Sequence, residues 1–211
     1  MKNVFIITSI IYFKDNKLSY SKSRSIYSPF ERTEQTISTI NSIKNKDSEA
    51  KIILLESGLK EKIDPRLISS VDEYIYLGKI KIVRWLVDSK YKGAGEAIML
   101  IMMKSKIIKT AQFIFKISGR YVLNNNFNID LWKKNFTCKI YRNSISTRLY
   151  GFPSTHKTNW IWVLIKSLPL LLAGNSIEDA MFRFSNKNIL NDIKILGIEG
   201  HVAPDGQTIN E

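Results

Sequence analysis

The chain has 211 residues, 44% hydrophobic and 11% aromatic, with 32 Lys and Arg against 19 Asp and Glu for a net charge of +13. This length and apolar content exclude a disordered chain and a small scaffold that needs staples, because a chain of this size buries a core of its own. The single cysteine, Cys138, excludes an internal disulfide and a cysteine-rich zinc site, and it fits a reducing compartment.

Residues 4–13 read as a first buried strand with a polar break at Thr8-Ser9. The start looks superficially like a signal peptide, but its apolar run is short and no small-residue cleavage site follows. Residues 14–28 are polar and read as a loop. Ser28-Pro29-Phe30-Glu31 is a helix start: a capping serine, a proline at the first position and an acid at the third. Thr36, Ile37, Ile40 and Ile43 carry that helix at the right spacing to about 45–47. Residues 50–58 form a second buried strand ending in Glu56-Ser57-Gly58. A short helical region spans 59–71, broken at Asp64-Pro65; a third strand spans 73–77 and a helix 80–88.

Residues 95–111 are the clearest helix, with a wide apolar face from Ala97, Ile98, Leu100, Ile101, Met102, Ile107 and Ile108. Ahead of it, Lys92-Gly93-Ala94-Gly95-Glu96 offers two glycines whose backbone amides can approach a pyrophosphate, with Lys90 and Lys92 adding charge. The competing reading is a flexible helix start with Glu96 at the favourable dipole end. The strand 113–117 is apolar except for Lys116, then breaks at Ser118-Gly119 and presents Arg120 and Tyr121. A cation inside Phe-Ile-Phe-Lys-Ile needs a partner or a wet cleft.

Residues 130–134 read as a short helix, and 139–141 with 146–150 as a hairpin closed by Gly151 to Pro153. Cys138 reads as a small core residue. The apolar helix 159–172 is interrupted by Pro169 and is shorter than the roughly 20 residues a bilayer crossing needs; an in-plane membrane contact stays open. Ser176 caps a helix over 177–184 that starts with Glu178 and Asp179. Another helix is predicted over 189–196, and 197–211 reads as a tail with a weak strand or loop. Strands and helices alternate through the first two thirds, which implies an α/β fold: a mostly parallel central sheet flanked by helices, with a more helical C-terminal third. No linker separates domains, so 1–211 reads as one.

Ligands of open α/β sheets bind at the carboxyl ends of the strands. The groups there are Thr8-Ser9, Glu56-Ser57-Gly58 and Ser118-Gly119-Arg120-Tyr121. Arg120 offers a planar fork for phosphate or carboxylate, and Lys116 shares a strand face with Ser118. Glu178 or Asp179 in a first helical turn suits a general base, though acids there also simply stabilise a helix. His156 reads as surface. His201, in a glycine-flanked tail, is a candidate base or phosphate partner. The charge points to an anionic partner. Nucleic acid is disfavoured, because the basic residues are spread along the chain and no reading helix or RNP motif is present.

Four stretches together resemble a bacterial surface-polysaccharide (capsule or lipopolysaccharide) glycosyltransferase family of GT-A-like, Rossmann-like type. They are Ser28-Pro-Phe-Glu-Arg32 with Gln35-Thr36 and Ser42-Ile43, Ile52-Ile-Leu-Leu-Glu56-Ser57, Lys92 with Gly95-Glu96, and Phe115-Lys-Ile-Ser-Gly-Arg-Tyr121. The similarity runs over residues 3–125 and continues more weakly through Ile177-Glu-Asp179 and the tail. It implies a nucleotide-sugar donor held by residues 1–125, at Thr8, Ser9, Glu56, Ser57, Lys92, Gly95, Glu96, Lys116, Ser118, Gly119, Arg120 and Tyr121. It implies a glycan or lipid-linked acceptor on 126–211, with Asp179, Glu178 and His201 as catalytic groups. Where such enzymes carry an Asp-x-Asp metal motif, this chain reads Ser118-Gly119-Arg120. The expectation is therefore transfer with no cofactor and no metal, the phosphate charge being met by Lys116, Arg120 and Lys92. The setting implied is cytoplasmic, with peripheral contact at an anionic inner membrane face. The other readings are a basic nucleic-acid-binding module, another nucleotide-dependent α/β enzyme or an inactive scaffold.

Overall fold

A computed structural model describes residues 2–132 and 135–211. Seven strands form the main sheet, in the order Leu190–Asp192 (β10), Phe136–Cys138 (β6), Leu149–Pro153 (β9), Phe113–Ser118 (β4), Asn3–Ser9 (β1), Lys51–Glu56 (β2) and Glu73–Tyr76 (β3). The central strands are β1 (Asn3–Ser9), β2 (Lys51–Glu56), β3 (Glu73–Tyr76) and β4 (Phe113–Ser118), all parallel. The far side of β4 pairs antiparallel with β9 (Leu149–Pro153), followed by β6 (Phe136–Cys138) and β10 (Leu190–Asp192). The sheet is thus mostly parallel, as expected, and it takes strands from both halves of the chain.

Period-two alternation sends the core strands' side chains to two opposite cores. Val4, Ile6, Ile53, Leu55 and Ile114 face one, under α3 (Lys81–Asp88), α4 (Lys92–Met102), α5 (Lys157–Leu172) and α6 (Ile177–Phe184). Phe5, Ile7, Ile52, Leu54, Phe113, Phe115 and Ile117 face the other, under α1 (Pro29–Lys46) and α2 (Pro65–Ser69). Lys116 alternates onto the first face. A small antiparallel sheet of β5 (Tyr121–Leu123), β11 (Ile198–His201) and β12 (Thr208–Asn210) lies beside the β4 end, and β7 (Ile140–Tyr141) with β8 (Ser144–Ile145) makes a short hairpin.

The α1 start has the predicted chemistry. Ser28 Oγ accepts from Glu31 N at 3.3 Å and Glu31 Oε2 accepts from Ser28 N at 2.7 Å, a closed capping box with Pro29 at the first position. Ser176 also caps α6, its Oγ accepting from Asp179 N at 3.0 Å. Cys138 is buried, and burial pushes its thiol up to about 12, which leaves it an inert core residue.

Several expectations are corrected. The helix predicted over 95–111 starts three residues earlier and stops at Met102. The chain then turns back towards β4, with Ser105 Oγ accepting from Ile108 N at 3.3 Å in a short 3-10 turn. The predicted 139–150 hairpin is the shorter β7–β8 pair around Arg142. Residues Gly151 to Pro153 do not close it but continue a main-sheet strand. A Cβ on Gly151 would sit 2.8 Å from the Phe113 ring and 2.9 Å from the Phe115 ring, so only glycine lets these aromatics pack there. The helix predicted over 189–196 is a 3-10 turn followed by β10, because Leu190 to Asp192 pair with β6 and Ile193 N reaches Cys138 O at 2.9 Å. Of the predicted 130–134 helix, Ile129–Trp132 is a 3-10 turn, and 133–134 lie outside the described residues. In α5, Trp160 is buried against Tyr150 and only Trp162 faces out. No helix among the described residues is long and apolar enough to cross a membrane.

Candidate active site

The strand order reverses between β1 and β4. The chain leaves β1 towards α1 on one face, and arrives at β4 from α4 on the other. A crevice at the carboxyl ends follows from that topology. Thr8 and Ser118 stand side by side in register at its floor, and Gly119 N donates to Thr8 O at 3.0 Å. Gly119 lets α1 approach: Thr36 Oγ1 donates to its carbonyl at 3.0 Å, where a Cβ would meet the same oxygen at 3.0 Å. An inner recess of about 70 Å3 is lined by Thr8, Ser9, Arg32, Thr36, Lys92, Glu96, Ser118, Gly119 and Arg120. It shares Lys92, Glu96, Ser118 and Arg120 with an outer cavity of about 590 Å3, large enough for a small organic ligand. Tyr20, Tyr91, Tyr121, Thr147, Arg148, Asn175, Ser176 and Glu178 add to the outer walls.

Three cations converge on the recess from three elements: Arg32 from α1, Lys92 from the start of α4 and Arg120 from the end of β4. Arg32 is buried, and its guanidinium is pushed down to about 9, first by burial and then by the charge of Arg120. Lys92 is pushed down to about 7 by burial and then by Arg120, with Glu96 opposing. Arg32 donates to Ser25 Oγ at 3.2 Å and lies 5.1 Å over the Phe13 ring. Its Nε is buried without a hydrogen-bond partner among the described residues, and so is the Nε of Arg120. Neither Lys92 nor Arg120 has an ion-pair partner among the described residues. Mutually repelling cations with spare donors, one buried and two half-buried, favour an anion among them.

The predicted site residues divide sharply. Thr8, Ser9, Lys92, Glu96, Ser118, Gly119 and Arg120 line the recess, and Tyr121 lines the outer cavity. Gly95 lies elsewhere. Both glycines of 92–96 sit inside the first turns of α4, where the Ala94 and Gly95 amides donate to Tyr91 O. They are there for packing: a Cβ on Gly95 would come within 2.9 Å of Val87 Cα, and one on Gly93 within 3.1 Å of Ile177 Cβ. Glu56 and Ser57 line neither cavity. The Glu56 carboxylate is fully buried and accepts from Ile11 N at 3.1 Å and Gly58 N at 2.5 Å, which ties the β1 and β2 exits together. Burial pushes its carboxyl up, against the hydrogen bonds from Ser9 and the two amides. Ser57 Oγ donates to Met99 Sδ, and Ser57 O accepts from Arg84 at 2.5 Å. Lys116 is fully buried below the cavity floor, its ammonium held by Glu96, Ser118 and Thr147 O.

The predicted catalytic trio is not assembled. Glu178 lines the outer cavity and accepts from Thr147 Oγ1 at 2.8 Å. Asp179 is exposed, turned away to Ser144. His201 is exposed on a neighbouring groove that shares only Arg120 with the recess and the outer cavity, its ring centroid 6.2 Å from that of Tyr27. Sequence reasoning missed Arg32, Thr36, Tyr20 and Arg148. A signal for Arg32 was present, since it stands with Thr33 and Thr36 on the face of α1 that turns inward. An arginine there needs a reason.

No family model matches the chain, and no curated protein matches it by sequence. Among solved structures it is similar to the galactosyltransferase LgtC in complex with donor and acceptor sugar analogues, at 9% identity and a TM-score of 0.47, covering 90% of this chain and 72% of that one. It is likewise similar to an active-site mutant of LgtC, at 10% identity and a TM-score of 0.45, covering 87% and 69%. At scores below 0.5, the site rests on this chain's own residues.

Proposed function

We propose that this protein is a glycosyltransferase that moves a sugar from a nucleotide-sugar donor to a glycan or lipid-linked glycan acceptor in bacterial surface-polysaccharide synthesis. The observation that carries the reading is the convergence of Arg32, Lys92 and Arg120, none of them in an ion pair among the described residues, at the switch point of a mostly parallel sheet. A diphosphate supplies the charge that this trio lacks. The adjoining cavity, with three tyrosines, hydroxyls and an amide, suits a sugar. The sequence resemblance supports the same class, with residues 1–125 on the donor side and 126–211 on the acceptor side.

In this mechanism the bond between the anomeric carbon and the phosphate oxygen breaks, and its electron pair stays on the nucleoside diphosphate. Arg32, Lys92 and Arg120 stabilise that developing charge in a site where they need not reorganise. Glu178 takes the proton from the acceptor hydroxyl as its oxygen bonds to the anomeric carbon. Glu178 is preferred to Asp179 because it alone of the two faces the cavity. His201 has no part in this step.

GT-A-like enzymes generally place a divalent ion on the diphosphate, and the donor set here does not fit one. The two carboxylates on the cavity are bonded to Lys116 and Thr147, and the remaining charged neighbours are cations. No group of three or more His, Cys, Asp or Glu side chains placed to hold a metal ion occurs among the described residues. Positive side chains therefore take the metal's electrostatic role. Trp162 and Lys166, exposed one turn apart on α5, and the net charge support a peripheral, cytoplasmic place at an anionic membrane face.

The test is a thermal-shift screen against UDP, GDP, CMP and their sugars, in EDTA and in manganese. At a ligand concentration of about 100 times Kd, binding adds about 2.7 kcal/mol, a shift of roughly 5–10 °C for a chain of this size. One nucleotide series stabilising the protein in EDTA is the expected result. No shift with any nucleotide sinks the reading; a shift that needs manganese sinks its metal-free part.

A further inference from the structure

Glu96 stands four residues after Lys92 on α4, the spacing at which opposite charges on a helix ordinarily pair. They do not pair. The Glu96 carboxylate is bonded instead to the ammonium of Lys116, a fully buried side chain on β4. The other Lys116 donors go to Ser118 Oγ at 3.1 Å and Thr147 O at 2.7 Å, so all three N–H groups have acceptors. Glu96 lines both cavities and Lys116 lines neither. A buried cation in an apolar strand is expensive, and methionine or leucine would fill the same space without the desolvation cost.

We infer that Lys116 is a positioning residue: it holds Glu96 away from Lys92 and so keeps the Arg32–Lys92–Arg120 cluster open to the anionic part of the ligand. The inference rests on reading that cluster as a diphosphate site. Without Lys116 the Glu96 carboxylate is free to turn to its helical neighbour. The site then carries its own counter-ion, which a ligand must displace. A purely structural stitch between β4, α4 and the 147 loop makes a different prediction, because its loss would not depend on the charge of Glu96.

The experiment is calorimetric titration of UDP and of inorganic pyrophosphate into wild type, Lys116→Met and the double variant Lys116→Met/Glu96→Gln, with folding checked by circular dichroism. Lys116→Met is expected to weaken both ligands about tenfold, and the double variant to recover to within about threefold of wild type. The pH profile gives a second readout. Lys92 faces Arg120 from β4, Arg32 from α1, Glu178 from α6 and Glu96 on its own helix, and anion binding requires its protonated form. Wild-type affinity therefore falls as pH rises through about 7, and pairing with Glu96 in Lys116→Met moves that fall to higher pH. A structural loss lowers affinity without moving the profile. Wild type binding neither ligand overturns the diphosphate site itself, and the inference with it. Wild-type-like affinity in Lys116→Met, or a folded double variant that stays tenfold weak, overturns the inference alone. If Lys116→Met does not fold, the double variant, which buries no unpaired charge, decides by the same threefold criterion.

Discussion

Replacing Arg120 with alanine removes the one cation among the described residues that lines the inner recess, the outer cavity and the groove beside His201. Attraction between a guanidinium and one phosphate charge at about 4 Å is about 4 kcal/mol at an effective dielectric of about 20. Arg120 is partly exposed, so solvent screening halves this to about 2 kcal/mol. That is about 30-fold in Kd, read by calorimetry with UDP or whichever nucleotide the thermal screen selects. The free protein should not lose stability, because the substitution relieves the repulsion that lowers both Arg32 and Lys92. Arg120→Lys should fall between wild type and Arg120→Ala, since it keeps the charge and loses the fork. Affinity within about threefold of wild type in Arg120→Ala would refute the reasoning, as would a folded state much less stable than wild type.

Glu178→Gln should abolish turnover while nucleotide binding survives, and Asp179→Asn should leave turnover nearly unchanged; equal losses in steady-state assays would reject Glu178 as the base. Lys92 has a folded pKa depressed to about 7, so the unfolded chain binds more protons above that pH. Stability therefore rises from about pH 7 towards about pH 10, the ordinary lysine range. Melting curves should show this rise in wild type and a flatter one in Lys92→Met. Gly151→Ala pushes a methyl into the Phe113 and Phe115 rings and should cost about 1–3 kcal/mol. Denaturant titration would show an unchanged midpoint if the close approach were unimportant.

Much of the fold was legible in the residues. The apolar runs of β1, β2 and β4 are strands buried on both faces, and Ser28-Pro29 with Glu31 closes a capping box that any reader of local chemistry can find. The floor of the crevice was legible for a related reason: polar groups at the ends of buried parallel strands have few places to be. Other segments were illegible because their conformation is set by a distant partner. Leu190 to Asp192 has helix-compatible spacing and is a strand only because β6 offers an unpaired edge. Gly151 reads as a turn until the aromatic rings of β4 are set against it.

The Ser118-Gly119-Arg120 strand end shows the same division within the site. By itself the sequence determined that a buried strand carries a lysine, then stops at a glycine and an arginine, because alternation and chain-breaking are local properties. It could not say which of those cations is free. Only the tertiary structure decided that Lys116 spends its charge on Glu96 while Arg120 joins Lys92 and the unforeseen Arg32 with no ion-pair partner among the described residues. The physical reason is that charge compensation depends on which side chains the fold brings within a few ångströms of each other, and the three cations of the recess come from positions up to 88 apart in the chain, from Arg32 to Arg120. Periodicity and spacing carry no record of those distances.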